Sequence, residues 1–171
     1  VRAYEMEDVT VLGGGGYDRA YVYDTAGDDI LQATPTSVTL SNASISNSAI
    51  GFESVKAYAT SGGNDLALLY DSTGNDVFKS KPEWSSLSGN NCYNFVQGFE
   101  KVKAFSSEGG YDKAFLYDSG GDDLLAASSD NVNFQGTGFD NFAIGFSSTK
   151  TYASAGGNDQ AFLYDSAGDD I

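Results

Sequence analysis

A long tandem repeat constrains this sequence more than any other feature. Four segments align without a gap: GGYDRAYVYDTAGDDI, GGNDLALLYDSTGNDV, GGYDKAFLYDSGGDDL and GGNDQAFLYDSAGDDI. They begin at Gly15, Gly62, Gly109 and Gly156, so that successive segments start 47 residues apart. A period of this size is typical of solenoids, propellers and other arrays in which each repeat covers the hydrophobic face of its neighbour.

The repeat extends over the whole chain. Residues 1–171 are predicted to form a single repeat domain, with a partial unit at 1–50, complete units at 51–97 and 98–144, and a partial unit at 145–171. Both ends of the sequence cut through a unit, as expected of a piece of a longer array. The predicted partners of this domain are therefore the neighbouring repeats of the same array.

A smaller pattern, glycine, any residue, acid, any residue, apolar residue, recurs inside each unit. In one unit it occupies 51–55, 63–67 and 74–78, at spacings of 12 and then 11 residues. A strand of about five residues with a glycine turn takes that length, and no window shows helical periodicity. The sequence therefore predicts an all-β fold, a parallel β-helix or β-solenoid with two coils per unit. A β-propeller with one blade per unit is the alternative, disfavoured because a propeller needs a whole number of blades.

Alternation along one strand pattern predicts what lies inside the coil. Ala67 and Leu69 share one face, and Tyr70 lies on the other. The small and branched apolar pair recurs in every unit, which predicts a narrow interior. The tyrosine also recurs, and equivalent residues of successive coils are predicted to stack in a column made of Tyr23, Tyr70, Tyr117 and Tyr164.

Aspartates recur at fixed places in the glycine turns. If equivalent carboxylates stack about 5 Å apart, they repel each other by roughly 1 kcal/mol in water and by more in a lower dielectric. Two interpretations stay open: the aspartates accept hydrogen bonds from backbone amides of their own turns, or they also bind calcium, which prefers six to eight oxygen ligands. The column at 18, 65, 112 and 159 is predicted to be structural. The predicted calcium ligands are Asp24, Asp29, Asp71, Asp76, Asp118, Asp123, Asp165 and Asp170.

The pentads at 16–20 and 27–31 resemble part of the glycine-rich nonapeptide of RTX repeats in large secreted bacterial proteins. The resemblance implies a stacked parallel β-roll that binds calcium between adjacent turns. Here the pentads are 11 or 12 residues apart rather than nine, and the first Gly-Gly-x of the nonapeptide is incomplete. More broadly, the unit looks like the Gly/Asp-rich repeats of very large bacterial surface proteins. That likeness implies an adhesin-like architecture in a secreted or cell-surface protein.

The composition excludes several classes of function. A net charge of −15 repels nucleic acid and anionic lipid and attracts cations. Histidine is absent, which removes the commonest general base and transition-metal ligand. Cys92 is the only cysteine, so it forms no internal disulfide and reads as a small buried residue. No segment approaches the roughly 20 apolar residues needed to span a bilayer, so membrane insertion is not expected.

These features predict a non-enzymatic structural or adhesive module, a stiff extracellular spacer or a surface for carbohydrate or cell contact. Lys56, Lys103 and Lys150 recur once per unit and read as a solvated row. A lysine row also occurs in polysaccharide lyase clefts, so the core of a lyase or epimerase is an alternative. A carbohydrate-binding module is another, with sugar stacking at Trp84, the only tryptophan. Identical residues in every unit speak against an active site, which needs a unique constellation.

Overall fold

A computed structural model describes residues 8–166, and within them the chain is entirely β-structure connected by turns. No helix in this part of the chain could cross a membrane. The strands are β1 (Asp8–Leu12), β2 (Arg19–Tyr23), β3 (Ile30–Ala33), β4 (Ser37–Ser41), β5 (Ser46–Ile50), β6 (Ser54–Tyr58), β7 (Leu66–Tyr70), β8 (Val77–Ser80), β9 (Trp84–Gly89), β10 (Cys92–Gln97), β11 (Lys101–Phe105), β12 (Lys113–Tyr117), β13 (Leu124–Ala127), β14 (Asn131–Gly136), β15 (Phe139–Ile144), β16 (Ser148–Tyr152) and β17 (Gln160–Leu163).

The strands form two sheets that face each other across the core. The ten-stranded sheet has the order β1-β5-β4-β3-β7-β11-β15-β14-β13-β17, and the seven-stranded sheet has the order β16-β12-β8-β9-β10-β6-β2. Strands of successive units pair in parallel within both sheets, as β3 with β7 and β2 with β6. Continuous sheets wound from parallel pairs confirm the predicted β-solenoid and are incompatible with separate propeller blades.

Each unit crosses between the two sheets three times. In the unit 51–97, β6 lies in the seven-stranded sheet and β7 in the ten-stranded sheet. The chain then returns to the seven-stranded sheet, where β8, β9 and β10 form an antiparallel meander. The next unit follows the same path with the sheets exchanged. The prediction of two coils per unit was wrong, because the meander adds three strands to one sheet without winding round the axis. A unit makes one and a half turns.

An odd number of crossings places equivalent residues of successive units in opposite sheets. Residues that pair in parallel are 35 to 39 positions apart, as in Arg19 with Ser54 and Ile30 with Leu66. The predicted columns at 47-residue intervals are therefore wrong. Tyr23 stacks on Tyr58, with ring centroids 5.4 Å apart, whereas its repeat equivalent Tyr70 lies in the other sheet.

The interior is narrow, as the alternation predicted. Ala67, Leu69, Ala114 and Leu116 are all at most 1% exposed. Larger side chains, among them Phe78, fill the space at the meanders. Cys92 is buried, and so is Phe139 at the equivalent place in the next unit, which confirms that this position belongs to the core.

Candidate functional site

The corners between the sheets contain buried aspartates, which are of three kinds according to the hydrogen bonds they accept. Aspartates of the first kind link one corner to the next. Asp24 accepts hydrogen bonds from the backbone N–H groups of Thr60 and Ser61, at 2.8 and 2.7 Å. Asp71 does the same for Ser107 and Glu108. Asp118 follows the pattern with Ala155 N–H at 2.7 Å. All three carboxylates are at most 8% exposed. Each one therefore binds the backbone of a loop that is 36 or 37 residues further along the chain.

The second kind closes its own corner. Asp76 accepts hydrogen bonds from the backbone N–H and the hydroxyl of Ser72, four residues earlier. Asp123 does so with Ser119, and Asp29 is bonded in the same way by Thr25. A short polar side chain that bonds nearby backbone in this way fixes a turn.

Aspartates of the third kind accept a hydrogen bond from the backbone N–H of an aspartate of the second kind. The N–H of Asp29 donates to Asp65 Oδ1 at 2.8 Å, and the N–H of Asp76 donates to Asp112 Oδ1 at 2.7 Å. Burial raises the pKa of Asp65 above its ordinary value. The hydrogen bond from Asp29 lowers it, and the carboxylates of Glu100, Asp24 and Asp29 raise it again. Mainly through burial, the pKa of Asp76 is raised as well.

The structure places the predicted calcium ligands at two different edges. Asp24 and Asp29 share one corner, while Asp71 and Asp76 share a corner on the opposite edge, because successive units are turned by half a turn. Asp165 is exposed, and Asp170 lies outside the described residues. Between residues 8 and 166, no three acidic, histidine or cysteine side chains converge in a way that could hold a metal ion. Capping within the same turn, the first of the two interpretations, is found at Asp29, Asp76 and Asp123, whereas Asp24, Asp71 and Asp118 accept hydrogen bonds from the backbone of the next corner.

Glycine lets neighbouring corners approach each other. A Cβ on Gly63 would overlap the carbonyl oxygen of Gly27, and one on Gly110 would overlap that of Gly74. Around Gly16, the equivalent residue of the first unit, there is open space. The conserved spacing of these glycines within the repeat thus reflects backbone contact between corners.

One contact breaks the repeat and was missed by sequence reasoning. Asn42 Nδ2 donates to Thr25 Oγ1 at 2.6 Å and to Asp29 Oδ1 at 3.0 Å. The positions 47 and 94 residues later are Gly89 and Gly136, where a Cβ would overlap the carboxylate of the equivalent aspartate. The sequence signal that could have revealed this contact is the asparagine in the first unit at the position where the later units have glycine.

An aromatic track runs along the outer face of the seven-stranded sheet. Tyr23 stacks on Tyr58, and Tyr117 stacks on Tyr152 with centroids 4.8 Å apart. Between these pairs lies Trp84, which stacks on a phenylalanine, and the ammonium group of Lys81 lies over both Trp84 and Tyr117. The insert around Trp84 is therefore part of this track and not an isolated loop.

The predicted lysine row is divided between the two faces. Lys56 and Lys150 lie on strands of the seven-stranded sheet, and Lys103 lies on the ten-stranded sheet. Lys103 and Lys101 both lie over the ring of Phe142, and Lys101 also pairs with Asp140. These lysines do not form a single cleft.

Comparison with protein families found no family that matches this chain. Comparisons with curated proteins and with solved structures found no match either.

Proposed function

We propose that this domain is a non-enzymatic structural module, a stiff spacer with an adhesive face in a large extracellular protein. The observation that carries the proposal is the continuity of both sheets along the axis, since strands of successive units are hydrogen-bonded to one another. In addition, the side chains of buried aspartates accept hydrogen bonds from the backbone of the next corner. A rod held together by such contacts resists bending without a separate interface between units.

The partners in this proposal are further units of the same array. Within the described residues each unit covers its neighbour, since Leu69 and Leu116, at equivalent places in successive units, are at most 1% exposed. A secreted or cell-surface location suits such a rod and is part of the proposal.

The length of an engineered array tests the spacer function. Two units add five strands to each sheet, so each added unit should lengthen the rod by about 12 Å, at a strand spacing of about 4.8 Å. We expect the maximum dimension, measured by small-angle X-ray scattering on chains extended by one, two and four complete units, to grow linearly with that increment. A maximum dimension that grew with the cube root of chain length would contradict a spacer.

Calcium hardening is the finer part of the proposal. Its support is the net charge of −15 together with the buried aspartates at the corners, since a bound cation would relieve the repulsion between carboxylates. Calcium bound at these corners predicts that a chelator lowers the melting temperature by several degrees, measured by circular dichroism in buffer containing calcium. A midpoint that chelator leaves unchanged would remove calcium from the proposal, and amide capping alone would hold the corners.

The alternative of a polysaccharide lyase or epimerase has less support. The predicted lysine row includes Lys103, whose ammonium group packs over Phe142 at 5.1 Å from the ring centroid, and the neighbouring Lys101 packs over the same ring at 5.3 Å. Lys101 is also in an ion pair with Asp140. Lysines engaged in this way are typical of a packed surface row.

A further inference from the structure

Positive charge is concentrated on one face of this acidic protein. The described part of the chain contains eight lysine and arginine residues, and six of them lie on the outer face of the seven-stranded sheet. No strand of that sheet contains an aspartate or a glutamate. Strands of the ten-stranded sheet contain two aspartates, Asp8 and Asp140. The six basic residues are Arg19, Lys56, Lys79, Lys81, Lys113 and Lys150.

These cations have no carboxylate partner among residues 8–166, where the one ion pair is between Lys101 and Asp140 on the other sheet. Several lie over aromatic rings instead. Lys56 lies 5.8 Å from the centroid of Phe95, and Lys81 lies 5.5 Å from that of Tyr117. A cation over a ring keeps its charge available to a second partner in solvent. The face therefore presents unneutralised positive charge in a protein whose net charge is −15.

The stacked rings on this face present mainly their edges to a ligand. Tyr23 and Tyr58 are 19° from parallel, and Tyr117 and Tyr152 are 9° from parallel, so each ring of a pair has one face covered by its partner. The ring edges and phenol hydroxyls remain within reach of a ligand, as does the outer face of the ring at each end of the track. Tyr23 is 60% exposed and Tyr152 is 38% exposed. Hydroxyl groups in a regular row can donate hydrogen bonds to the hydroxyls and carboxylates of sugars.

We propose that the outer face of the seven-stranded sheet binds an acidic polysaccharide that lies along the solenoid axis. Lysine ammonium groups would pair with uronate or sulfate groups, and tyrosine hydroxyls would bond the sugar hydroxyls between them. Seven strands span about 29 Å at a spacing of about 4.8 Å, which is room for several sugar residues. The inference rests on the adhesive part of the proposed function, and it names an acidic polysaccharide as the partner of the adhesive face.

Nucleic acid is the other polyanion that such a face could attract, and the geometry disfavours it. Proteins bind single strands by stacking bases on free aromatic faces, and here the inner rings of the track are covered by neighbouring rings or by Lys81. Duplex DNA carries about one charge per 1.7 Å of its axis. The aspartate-rich corners on both edges of this narrow sheet would repel so dense a charge. A polysaccharide with no more than about one charge per sugar fits the sparse lysines better.

Binding to immobilised polygalacturonate tests the proposal with a matched pair of variants. Lys79→Gln/Lys81→Gln removes two charges from the seven-stranded face, and Lys101→Gln/Lys103→Gln removes two from the ten-stranded face. Surface plasmon resonance in calcium-free buffer should show wild-type binding that weakens with salt. We expect Kd to rise about tenfold or more, roughly 1.4 kcal/mol, in the first variant and less than about twofold in the second.

Three outcomes would overturn the inference: no wild-type binding to polygalacturonate or to chondroitin sulfate, equal losses in the two variants, or tighter binding to single-stranded DNA. Circular dichroism melts of both variants should match that of the wild type, because Lys79, Lys101 and Lys103 project outward from their strands and Lys81 is exposed in the turn after β8. Failure of binding would leave the spacer function intact, since that function is tested by the length of extended arrays and not by a ligand.

Discussion

Replacing Gly110 by alanine should cost about 3–5 kcal/mol of the free energy of unfolding, measured by chemical denaturation. The backbone at Gly110 has φ of +110°, where any other residue is strained by about 1–3 kcal/mol. In addition, the new Cβ would overlap the carbonyl oxygen of Gly74 in the neighbouring corner. The two corners would have to separate, which would stretch the hydrogen bond from Tyr111 N–H to Asn75 Oδ1, now 2.7 Å long.

Gly109→Ala is the matched control. Gly109 also has a positive φ, +92°, but nothing lies within 4 Å of the position of its Cβ. Its substitution should therefore cost only the backbone strain, about 1 kcal/mol. Equal losses in the two variants would mean that strain alone makes these glycines necessary, and that close stacking of the corners does not.

Asp71→Ala should destabilise the protein by about 2–4 kcal/mol. The buried carboxylate accepts hydrogen bonds from the backbone N–H groups of Ser107 and Glu108, at 2.9 and 3.0 Å. Hydrogen bonds to a charged group contribute about 1.5–3 kcal/mol each, and alanine leaves both donors without an acceptor. Asp28→Ala is the control, because exposed Asp28 makes one such bond, to Asn64 N–H. It should cost about 1 kcal/mol or less.

Asp65→Asn should have the opposite sign at neutral pH. Asparagine keeps the Oδ1 acceptor for the N–H of Asp29 and removes a charge that burial and neighbouring carboxylates disfavour. Because the pKa of Asp65 is raised in the folded state, the folded protein binds this proton more tightly than the unfolded chain. The wild type therefore gains stability as the pH falls through the raised pKa, and the variant does not.

The midpoint of thermal unfolding, measured from pH 7 down toward pH 4, tests the predictions for Asp65→Asn and Asp71→Ala. We expect Asp65→Asn to melt above the wild type at pH 7, with the difference shrinking on acidification. Asp71→Ala should melt below the wild type throughout the range. A wild type more stable than Asp65→Asn at pH 7 would show that ionised Asp65 is a favourable part of the corner.

The predictions for Gly110, Asp71 and Asp65 all concern the contacts that make the domain a rod. The glycines set how closely the corners stack, and the aspartates bind each corner to the next. The proposed adhesive face depends on this regularity, because stacked corners hold the strands of the seven-stranded sheet in the register that aligns Tyr23 with Tyr58 and Tyr117 with Tyr152.

The sequence alone determined the local chemistry of this protein. Alternation along each strand is a property of the extended backbone, so the Ala67 and Leu69 pattern was enough to predict a narrow interior. Glycine reaches the positive φ of a tight turn and aspartate bonds nearby backbone amides, so the corners and the caps within them followed from a single repeat. These features need no knowledge of which strand lies beside which.

The neighbours of each strand were decided only by the tertiary structure. Three crossings per unit turn each repeat by half a turn, so that residues 35–39 apart pair and residues 47 apart lie in opposite sheets. The number of crossings depends on whether β8, β9 and β10 wind round the axis or fold back in one sheet, and both paths satisfy the same alternation. For that reason the sequence misplaced the tyrosine column, and the gathering of six cations on one face emerged only once the two sheets were formed.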